Sequence, residues 1–459
     1  MSLYGAVPIP LQNLACSWAG YRRSRLRFTR HFHETLAAWE RSLHAPLAEL
    51  HAIQWRRLAE LIAHARAHVP YYRGLAPPAE RGEPRQAIER TLAGIAPLER
   101  ATYRERSEEF LARNLPRRKL LRGKTSGTTG SALPLYWTRE ALAEEFASFW
   151  RGRRSAGVAL SDASLTFNGQ TIVPVAQAEP PFWRHNAWNR QTLFSLYHMS
   201  PSWLPAYVEA IHATPADFAQ GYPSSLHLAA RALLDAGRPL PRGRLKAVFT
   251  SSESLLAFQR DTIEAGFGAP VHDRYGVSEF CVSMTQCRAQ RLHVDMEFGI
   301  VEVVPEERGP GWVRGPLLVT GFANRATPLL RYRVGDVGTR SELPCECGRA
   351  GDVFLDVDGR IEDYVALPDG RWVGRLDHVF KAQLEVAEAQ ILQETARAIE
   401  VRVVRRPGYD EASERALLAE FRSRLGDEIE IELCYVDQIA RDPNGKFRAV
   451  KSKVGKLPR

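Results

Sequence analysis

The most informative stretch of the chain reads Lys124-Thr125-Ser126-Gly127-Thr128-Thr129-Gly130. It combines small hydroxyl side chains with two glycines and contains no bulky residue. Glycine lets backbone amides approach a phosphate closely, and serine and threonine hydroxyls add hydrogen-bond donors. The stretch is not a Walker loop, because its lysine does not follow the second glycine. These residues therefore indicate a phosphate-binding loop, with a flexible Ser/Thr/Gly turn as the alternative.

Four further short motifs follow this loop along the chain. They read Arg274-Tyr275-Gly276-Val277-Ser278-Glu279, Tyr332-Arg333-Val334-Gly335-Asp336, Gly359-Arg360-Ile361-Glu362-Asp363 and Asn444-Gly445-Lys446-Phe447-Arg448. Each motif is weak singly, but the five in this order resemble the core motifs of the adenylate-forming (ANL) superfamily of acyl-CoA synthetases and peptide-synthetase adenylation domains. The spacing is most similar to the phenylacetate–CoA ligase branch, including its capsule-cluster (CapK-like) proteins. The resemblance covers roughly residues 60 to 459.

Length and composition are those of an ordinary globular protein. The chain has 459 residues, of which 44% are hydrophobic and 25% are charged. This length is sufficient for two or three domains with a large buried core. The sequence contains no run of 18 apolar residues and no basic start followed by an apolar core before residue 20. We therefore expect a cytoplasmic protein with no membrane partner.

The net charge of +9 comes partly from basic clusters near both ends of the chain. Their members are Arg22, Arg23, Arg25, Arg27 and Arg30, and then Arg441, Lys446, Arg448, Lys451, Lys453, Lys456 and Arg459. Basic charge alone is poor support for a nucleic-acid partner, and no recognition-helix or stacking pattern accompanies it. We interpret the clusters as solvated faces and expect no nucleic acid. Attraction of ATP, CoA or a phosphopantetheine carrier is the alternative.

Strands and helices alternate along most of the chain, which favours an α/β architecture. Helices are expected at 34–68 and 140–156, and strands at 245–249, 299–304 and 317–321. Later in the chain we expect strands at 401–404 and 430–436 and a helix at 413–425, capped by Ser413. The resemblance implies a large N-terminal adenylation domain of mixed sheets and helices at 1–359, with a helical segment at about 20–80. A small α+β C-terminal lid domain is predicted at 360–459.

The resemblance also implies a phosphate and metal site. The loop residues Thr125, Ser126, Gly127, Thr128, Thr129 and Gly130 are expected to hold the β- and γ-phosphates of ATP, with Thr128 acting in catalysis. Ser278 is expected to contact the α-phosphate. Glu279 is expected to bind Mg²⁺, because a carboxylate is a hard oxygen ligand for a hard ion. The alternative for Glu279 is an exposed loop carboxylate.

The nucleoside end of the site follows from the same resemblance. Tyr275 with Gly276 is expected to pack against adenine, and Ser252 and Glu253 stand where the family places its contacts with the adenine edge. Asp336 is expected to accept hydrogen bonds from the ribose hydroxyls, a role for an acceptor-only group. A core tyrosine and a turn aspartate are the alternatives for Tyr275 and Asp336.

Two residues near the lid complete the predicted machinery. Lys446 is expected to bridge the acid carboxylate and the α-phosphate, because an ammonium offsets the charge that develops there. The alternative is one more lysine in a basic tail. Arg360 is expected to reach the ribose or a phosphate. Glu362 stands at the hinge position of the lid, where the family usually has aspartate.

A second site is predicted from cysteine and histidine spacing. Five residues separate Cys287 from His293, and Cys345 and Cys347 follow some fifty residues later. Three thiolates and one imidazole suit tetrahedral zinc, and no ligand position is left open for catalysis. Members of the branch have a similar arrangement, so the resemblance supports a structural Zn²⁺. The alternative is packed cysteines beside a surface histidine.

The function implied by the resemblance is ATP-dependent activation of a carboxylic acid as an acyl or aryl adenylate, followed by transfer to CoA. Transfer to an amine or to a carrier-protein thiol, and a catalytically inactive binding protein, remain alternatives. The segment 168–205 contains aromatic residues that favour an aromatic or apolar acid, or that simply form core. These residues are Phe182, Trp183, Trp188, Phe194, Tyr197 and Trp203. A homodimeric state is left open.

Overall fold

The computed structural model of the chain describes most of its residues. These are residues 4, 7–79, 82–124, 133–170, 172–174, 177–199, 202–253, 255, 257–358, 365–368, 372–373, 376, 379, 385–405, 407–437, 439 and 450–454. The predicted domain boundary at 359 and 360 lies outside these ranges. The division into two domains at that point therefore stays a prediction.

Helices cover much of the N-terminal third and the parallel part of the main sheet. They are α1 (Ile9–Arg27), α2 (Arg30–Ser42), α3 (Leu47–His68), α4 (Pro84–Ala93), α5 (Arg100–Glu105), α6 (Arg139–Ser155), α7 (Leu204–Ala213), α8 (Pro223–Asp235), α9 (Ala257–Phe267) and α10 (Glu411–Leu425). Among the described residues, no helix has both the length and the apolar character needed to cross a membrane.

The strands are numbered here in chain order. They are β1 (Leu121–Lys124), β2 (Pro134–Trp137), β3 (Ser164–Asn168), β4 (Trp183–Asn186), β5 (Gln191–Ser195), β6 (Phe218–Gly221), β7 (Ala247–Ser251), β8 (Val271–Gly276), β9 (Ser283–Gln286), β10 (Leu292–Val294), β11 (Gly299–Val303), β12 (Glu307–Gly309), β13 (Trp312–Gly321), β14 (Tyr332–Ser341), β15 (Val353–Asp358), β16 (Val365–Ala366), β17 (Trp372–Val373), β18 (Val386–Thr395), β19 (Ala398–Arg405), β20 (Glu430–Tyr435) and β21 (Val450–Ser452).

One large mixed sheet organises the main part of the molecule. Its strand order is β11-β13-β14-β15-β10-β9-β8-β7-β6-β3-β5-β4, with β12 beside β13. The strands β5, β3, β6, β7 and β8 are mutually parallel neighbours, whereas every pairing from β8 to β11 is antiparallel. The predicted α/β class with mixed sheets is therefore confirmed.

The two faces of the parallel strands differ in chemistry. Leu165, Phe167 and Val248 point to one face and join an apolar cluster with α7, α8 and α9. Ser164 and Thr166 alternate with them, and successive side chains of a strand point to opposite faces. The first face is therefore ordinary hydrophobic core. The second face, called the polar face below, combines these polar side chains with phenylalanines of β6 and β7 that join another apolar cluster.

The C-terminal part has a hydrophobic core of its own. The strands β20-β19-β18-β21 form a separate four-stranded sheet. Leu417 and Phe421 of α10 are fully buried against Ile391, Val401 and Val403 of that sheet. An amphipathic helix on one face of a small sheet is a stable α+β unit, because each element buries the apolar face of the other.

Most predicted elements are present, with two corrections. The helix expected at 34–68 is two helices, α2 and α3, because the chain turns after Ser42 and Pro46 restarts it. The helix expected from Ser413 begins at Glu411, and Asp410 is its N-cap through a carboxylate that accepts the Ser413 amide. The predicted strand at 317–321 is the end of the longer β13.

A buried ionic network fixes α2 and α6 to the main sheet. Arg151 of α6 donates to Glu297 at 2.8 Å and also contacts Asp295, and all three are almost inaccessible to solvent. Ser42 of α2 donates to Glu297, and Thr285 of β9 donates to Asp295 at 3.0 Å. Burial disfavours the charged guanidinium, but the two carboxylates outweigh burial and raise the pKa of Arg151.

Removal of this guanidinium is expected to destabilise the protein strongly. Arg151→Met leaves two buried carboxylates without a cation, a change that costs about 3–5 kcal/mol in free energy of unfolding. Arg154→Met, on the same helix, removes only a half-exposed pair with Glu40 and is expected to cost at most about 1 kcal/mol. Urea unfolding measures both. Equal small losses for the two variants would contradict the structural role of Arg151.

Candidate functional site

The predicted adenine-side residues from two separate motifs meet at one edge of the sheet. Ser252 and Glu253 directly follow β7, and Tyr275 and Gly276 end β8. β7 and β8 are parallel neighbours, so their carboxyl ends lie side by side. In open α/β sheets, ligands bind outside the carboxyl ends of the strands. The fold therefore places these four residues where a ligand site is expected.

Tyr275 is hydrogen-bonded to Asp336. Its hydroxyl donates to the Asp336 carboxylate at 2.7 Å, across 61 residues of sequence. Burial and the neighbouring carboxylate raise the pKa of Tyr275 well above its usual value, so the phenol stays protonated and donates. Asp336 lies within β14 and not in a turn, directly after Gly335 in the left-handed region at φ 93°. The predicted adenine and ribose contacts are thus adjacent.

Glu279 is a buried carboxylate, not an exposed one. It lies between β8 and β9 with 5% of its surface exposed. It accepts a hydrogen bond from the Tyr332 hydroxyl at 3.3 Å, and Arg100 lies 3.8 Å away. Ser278, beside it, is exposed. A buried carboxylate held in this way could ligate a hard divalent ion at the edge of the site.

The backbone is constrained at three points beside these residues. Ser252, Phe280 and Arg331 adopt positive φ angles of 72°, 55° and 46°. Residues with a side chain rarely occupy this region, and the surrounding structure must hold them there. Each one adjoins a residue described above, namely Glu253, Glu279 or Tyr332. Such local strain concentrates at functional sites in proteins.

Several predicted site residues lie outside the described part of the chain. These are the phosphate loop Thr125, Ser126, Gly127, Thr128, Thr129 and Gly130, together with Arg360, Glu362 and Lys446. The strands that flank the loop, β1 and β2, pair in antiparallel register with Lys124 opposite Pro134. The roles assigned to the loop residues, to Arg360, to Glu362 and to Lys446 stay predictions.

The four predicted metal ligands lie together. Cys287 follows β9, His293 is in β10, and Cys345 and Cys347 lie in the connection from β14 to β15. Their ligand atoms all lie within 4.8 Å of one another. His293 is 1% exposed and is therefore not a surface histidine. Burial and nearby Arg349 lower its pKa to about 4, so the imidazole is neutral and offers a lone pair.

The spacing inside this cluster matches a tetrahedral ion site. The Sγ atoms of Cys287 and Cys345 are 3.7 Å apart, and Cys347 Sγ lies 3.3 Å from His293 Nε2. Two sulfurs bound to one zinc ion at tetrahedral angles lie about 3.8 Å apart, and a sulfur and a nitrogen about 3.6 Å apart. The donor set suits zinc, and these two distances are close to the tetrahedral values.

Most of the predicted pocket aromatics are core residues. Phe182 and Phe194 are fully buried, and Trp183 and Trp203 pack against the same apolar cluster. Trp188 differs, because it lines a cavity and meets Tyr21 edge-to-face with ring centroids 4.7 Å apart. The side chain of Tyr197 lies outside the described part of the structure. The aromatic segment thus supports an aromatic acid only through Trp188.

Sequence analysis missed that cavity, which has a volume of about 930 Å³. It lies against the polar face of the parallel strands, beneath α1 and α6. Arg23 and Arg27 line it, so the interpretation of the whole N-terminal basic cluster as a solvated face was wrong. The available signal was the polar alternation Ser164, Thr166 and Asn168 in a strand from the middle of a buried sheet.

Comparisons with known proteins agree with the motifs. Residues 366–453 match the family model of the CapK C-terminal domain. Protein CapK of Staphylococcus aureus is 25% identical over 454 residues, which cover 97% of this chain and 98% of that protein. The chain is therefore similar to CapK over almost its whole length. The predicted resemblance to that branch is confirmed.

Further relatives connect the CapK-like chain to adenylate-forming ligases. Phenylacetate-coenzyme A ligase of Thermus thermophilus is 25% identical over 419 residues, covering 84% of this chain and 85% of that enzyme. A structure of 2-hydroxyisobutyryl-CoA ligase in the postadenylation state superposes with a TM-score of 0.58 at 20% identity, covering 90% of this chain and 91% of that one. The structure of the same ligase in the thioesterification state superposes with a TM-score of 0.55. The chain therefore has the adenylate-forming CoA ligase fold.

Proposed function

We propose that the protein activates a carboxylic acid with ATP through an acyl or aryl adenylate and then transfers the acyl group to a thiol, CoA being the first candidate. One observation carries the proposal. Two hydrogen bonds, from Tyr275 to Asp336 and from Tyr332 to Glu279, join the second and third sequence motifs into one site. A scaffold without chemistry has no need to link these motifs at the carboxyl edge of a parallel sheet.

In the first half-reaction, an oxygen of the acid attacks the α-phosphorus of ATP, and the bond from that phosphorus to pyrophosphate breaks. Asp336, oriented by Tyr275, accepts from the ribose hydroxyls and positions the nucleoside. Glu279 would hold Mg²⁺, which when bound neutralises phosphate charge. Lys446 supplies positive charge between the carboxylate and the α-phosphate, and the loop from Thr125 to Gly130 donates to the departing phosphates.

In the second half-reaction, a thiol sulfur attacks the acyl carbon and AMP leaves with the carboxyl oxygen that bound the phosphorus. The complexes of 2-hydroxyisobutyryl-CoA ligase with an acyl adenylate, and with an acyl adenylate and CoA, support this order and this acceptor. A carrier-protein thiol or an amine would accept the acyl group by the same substitution. Adding CoA, a carrier protein or an amine to the preformed adenylate, and measuring which one consumes it, identifies the acceptor.

Lys446→Ala is expected to abolish acid-dependent exchange of labelled pyrophosphate into ATP, because the charge that bridges the two reactants is lost. Glu279→Gln keeps an acceptor for Tyr332 but removes the negative charge, and we expect it to slow exchange about 10²- to 10³-fold. A panel of aryl and aliphatic acids supplies the substrate. Thermal unfolding checks that both variants fold.

Lys453→Ala is the matched control for the first variant. Lys453 lies in the same basic C-terminal segment, but its side chain is 75% exposed and pairs with Glu394 at 2.7 Å. Exposed pairs contribute little, so exchange is expected to stay at the level of the unaltered protein. Full exchange activity in Lys446→Ala would remove that lysine from the mechanism. A lack of exchange with every acid in the unaltered protein would favour the inactive binding protein.

We further propose that Cys287, His293, Cys345 and Cys347 bind one structural zinc ion. The cluster joins the β9–β10 turn to the connection between β14 and β15, which are distant in sequence. A closed set of four ligands leaves no position for substrate, so the ion would stabilise the fold and take no part in the reaction.

Elemental analysis of protein purified without a histidine tag is expected to find about one zinc per chain. Cys347→Ser is expected to lower both the metal content and the Tm, since a hydroxyl is a poor zinc ligand. Cys434→Ser, in β20 and outside the cluster, serves as the matched control and is expected to retain the metal. Metal-free protein with an unchanged Tm would contradict the proposal.

A further inference from the structure

We propose that the acid accepted by this protein carries a second anionic group, and that this group binds in the cavity beneath α1 and α6. Arg27 and Arg153, assisted by Arg23, would hold it. The inference rests on the proposed function, because it assigns a class to the acid that the site activates. It concerns residues that none of the five sequence motifs contains.

The cavity is a built feature of the fold. Its floor is formed by the parallel strands, where Thr166, Gln220 and His272 lie beside the apolar rings of Phe218 and Phe249. α1 and α6 supply the roof, which includes Arg27 and Arg153. A volume of about 930 Å³ is within the usual range for small-molecule sites.

The cavity reaches the predicted reaction centre. Its lining includes Tyr222, Ser251 and Arg274 at or next to the carboxyl ends of β6, β7 and β8. Ser251 directly precedes Ser252, and Arg274 directly precedes Tyr275. An acid that extends from the reacting carboxylate into the cavity therefore enters beside the nucleotide residues and ends among the arginines.

Two arginines in the roof have no carboxylate partner among the described residues. Arg27 lies over the Phe146 ring at 4.2 Å, and Arg153 lies 5.0 Å from the Trp150 ring and donates to the Gln220 side-chain oxygen. Burial, and then neighbouring arginines, lower the pKa of Arg27 to about 10 and that of Arg153 to about 9. Both side chains are half-buried, and a partly desolvated cation without a counterion carries a cost that an anionic ligand would offset.

The carboxylates that line the cavity are bound elsewhere. Asp162 pairs with Lys246 at 2.6 Å. Asp273 accepts a hydrogen bond from Thr250 at 2.6 Å, and burial raises its pKa to about 6, which favours the neutral acid more than in water. Arg274 differs from the two roof arginines, because Glu145 pairs with it at 2.9 Å. The unneutralised positive charge is therefore concentrated at Arg27 and Arg153 and not spread over the whole lining.

Arg23 extends this positive surface along α1. It donates to the side-chain oxygen of Gln170 at 3.1 Å and lines the cavity together with Arg27. A guanidinium presents a planar fork of donors that matches a carboxylate, a phosphonate or a sulfonate. Neutral amide oxygens such as those of Gln170 and Gln220 hold the forks in place without neutralising them. The lining is thus suited to a compact oxyanion at the end of an acid of moderate length.

The test compares dianionic acids with their monoesters in pyrophosphate exchange without CoA. The pairs are para-carboxyphenylacetate with its para-methyl ester, and suberate with its monomethyl ester. Each ester preserves shape and removes one charge. We expect kcat/KM for the dianion to exceed that for its ester by at least about tenfold in one pair, the effect of a charged hydrogen bond.

Arg153→Met and Arg27→Met are expected to lower kcat/KM for the dianion to that for its ester, so that the preference is lost. Thermal unfolding checks that each variant folds. Arg25→Met is the matched control. Arg25 lies on α1 with Arg27, but it is exposed and does not line the cavity. It is expected to retain the full preference.

Two results would overturn the inference, and a third would contradict the proposed function instead. Exchange with the esters at rates equal to the dianions leaves the function intact but removes the second anion. Weaker CoA binding in Arg153→Met, with an unchanged preference between acids, would assign the arginines to a CoA phosphate. Absence of exchange with every acid contradicts the function. Calorimetric titration with each pair, without ATP, then decides: tighter binding of the dianion that Arg153→Met abolishes supports the inference, and equal binding rejects it.

Discussion

The buried contacts of Arg151 with Asp295 and Glu297 are the constraint on which the arrangement of the site depends. They attach α6 to the chain between β10 and β11, and Ser42 brings α2 into the same network. Because charges in a low-dielectric interior must be paired, α6 has one favourable position over the sheet. That position sets the distance between the helix and the polar sheet face, and so creates the cavity between them.

The cost of an unpaired charge away from water also explains the arginines in the roof of the cavity. Arg151 lies on the inward face of α6 and meets two carboxylates, whereas Arg153, two residues later, meets none among the described residues. One helix thus carries a satisfied guanidinium that builds the fold and an unsatisfied one that faces a space. Burial without a partner is costly for a structural residue. A ligand that supplies the partner is the simplest physical reason for keeping it.

The nucleotide edge is held by a different device, direct hydrogen bonds between motifs. Tyr275 and Glu279 lie at the junction of the parallel and antiparallel halves of the sheet, and their partners Asp336 and Tyr332 lie on β14, in the antiparallel half. The strands between them form a continuous ladder, so this geometry is rigid. A rigid edge of this kind beside a cavity that contains arginines suits the proposed function, in which one end of the acid reacts and the other end is recognised.

The sequence by itself determined the family resemblance, the α/β class and the grouping of the cysteine–histidine cluster, and it predicted the residues that meet at the carboxyl edge of the parallel strands. Short motifs predict those features, and the order of the motifs along the chain is typical of the superfamily. It also located α6, β11 and β20 closely, because hydrophobic periodicity and caps are local signals. It did not reveal the break between α2 and α3, the burial of Glu279 or the position of Arg23 and Arg27 on a cavity wall. Only the tertiary structure decided these, since whether a charged side chain meets water, a carboxylate or an empty cavity depends on residues more than a hundred positions away.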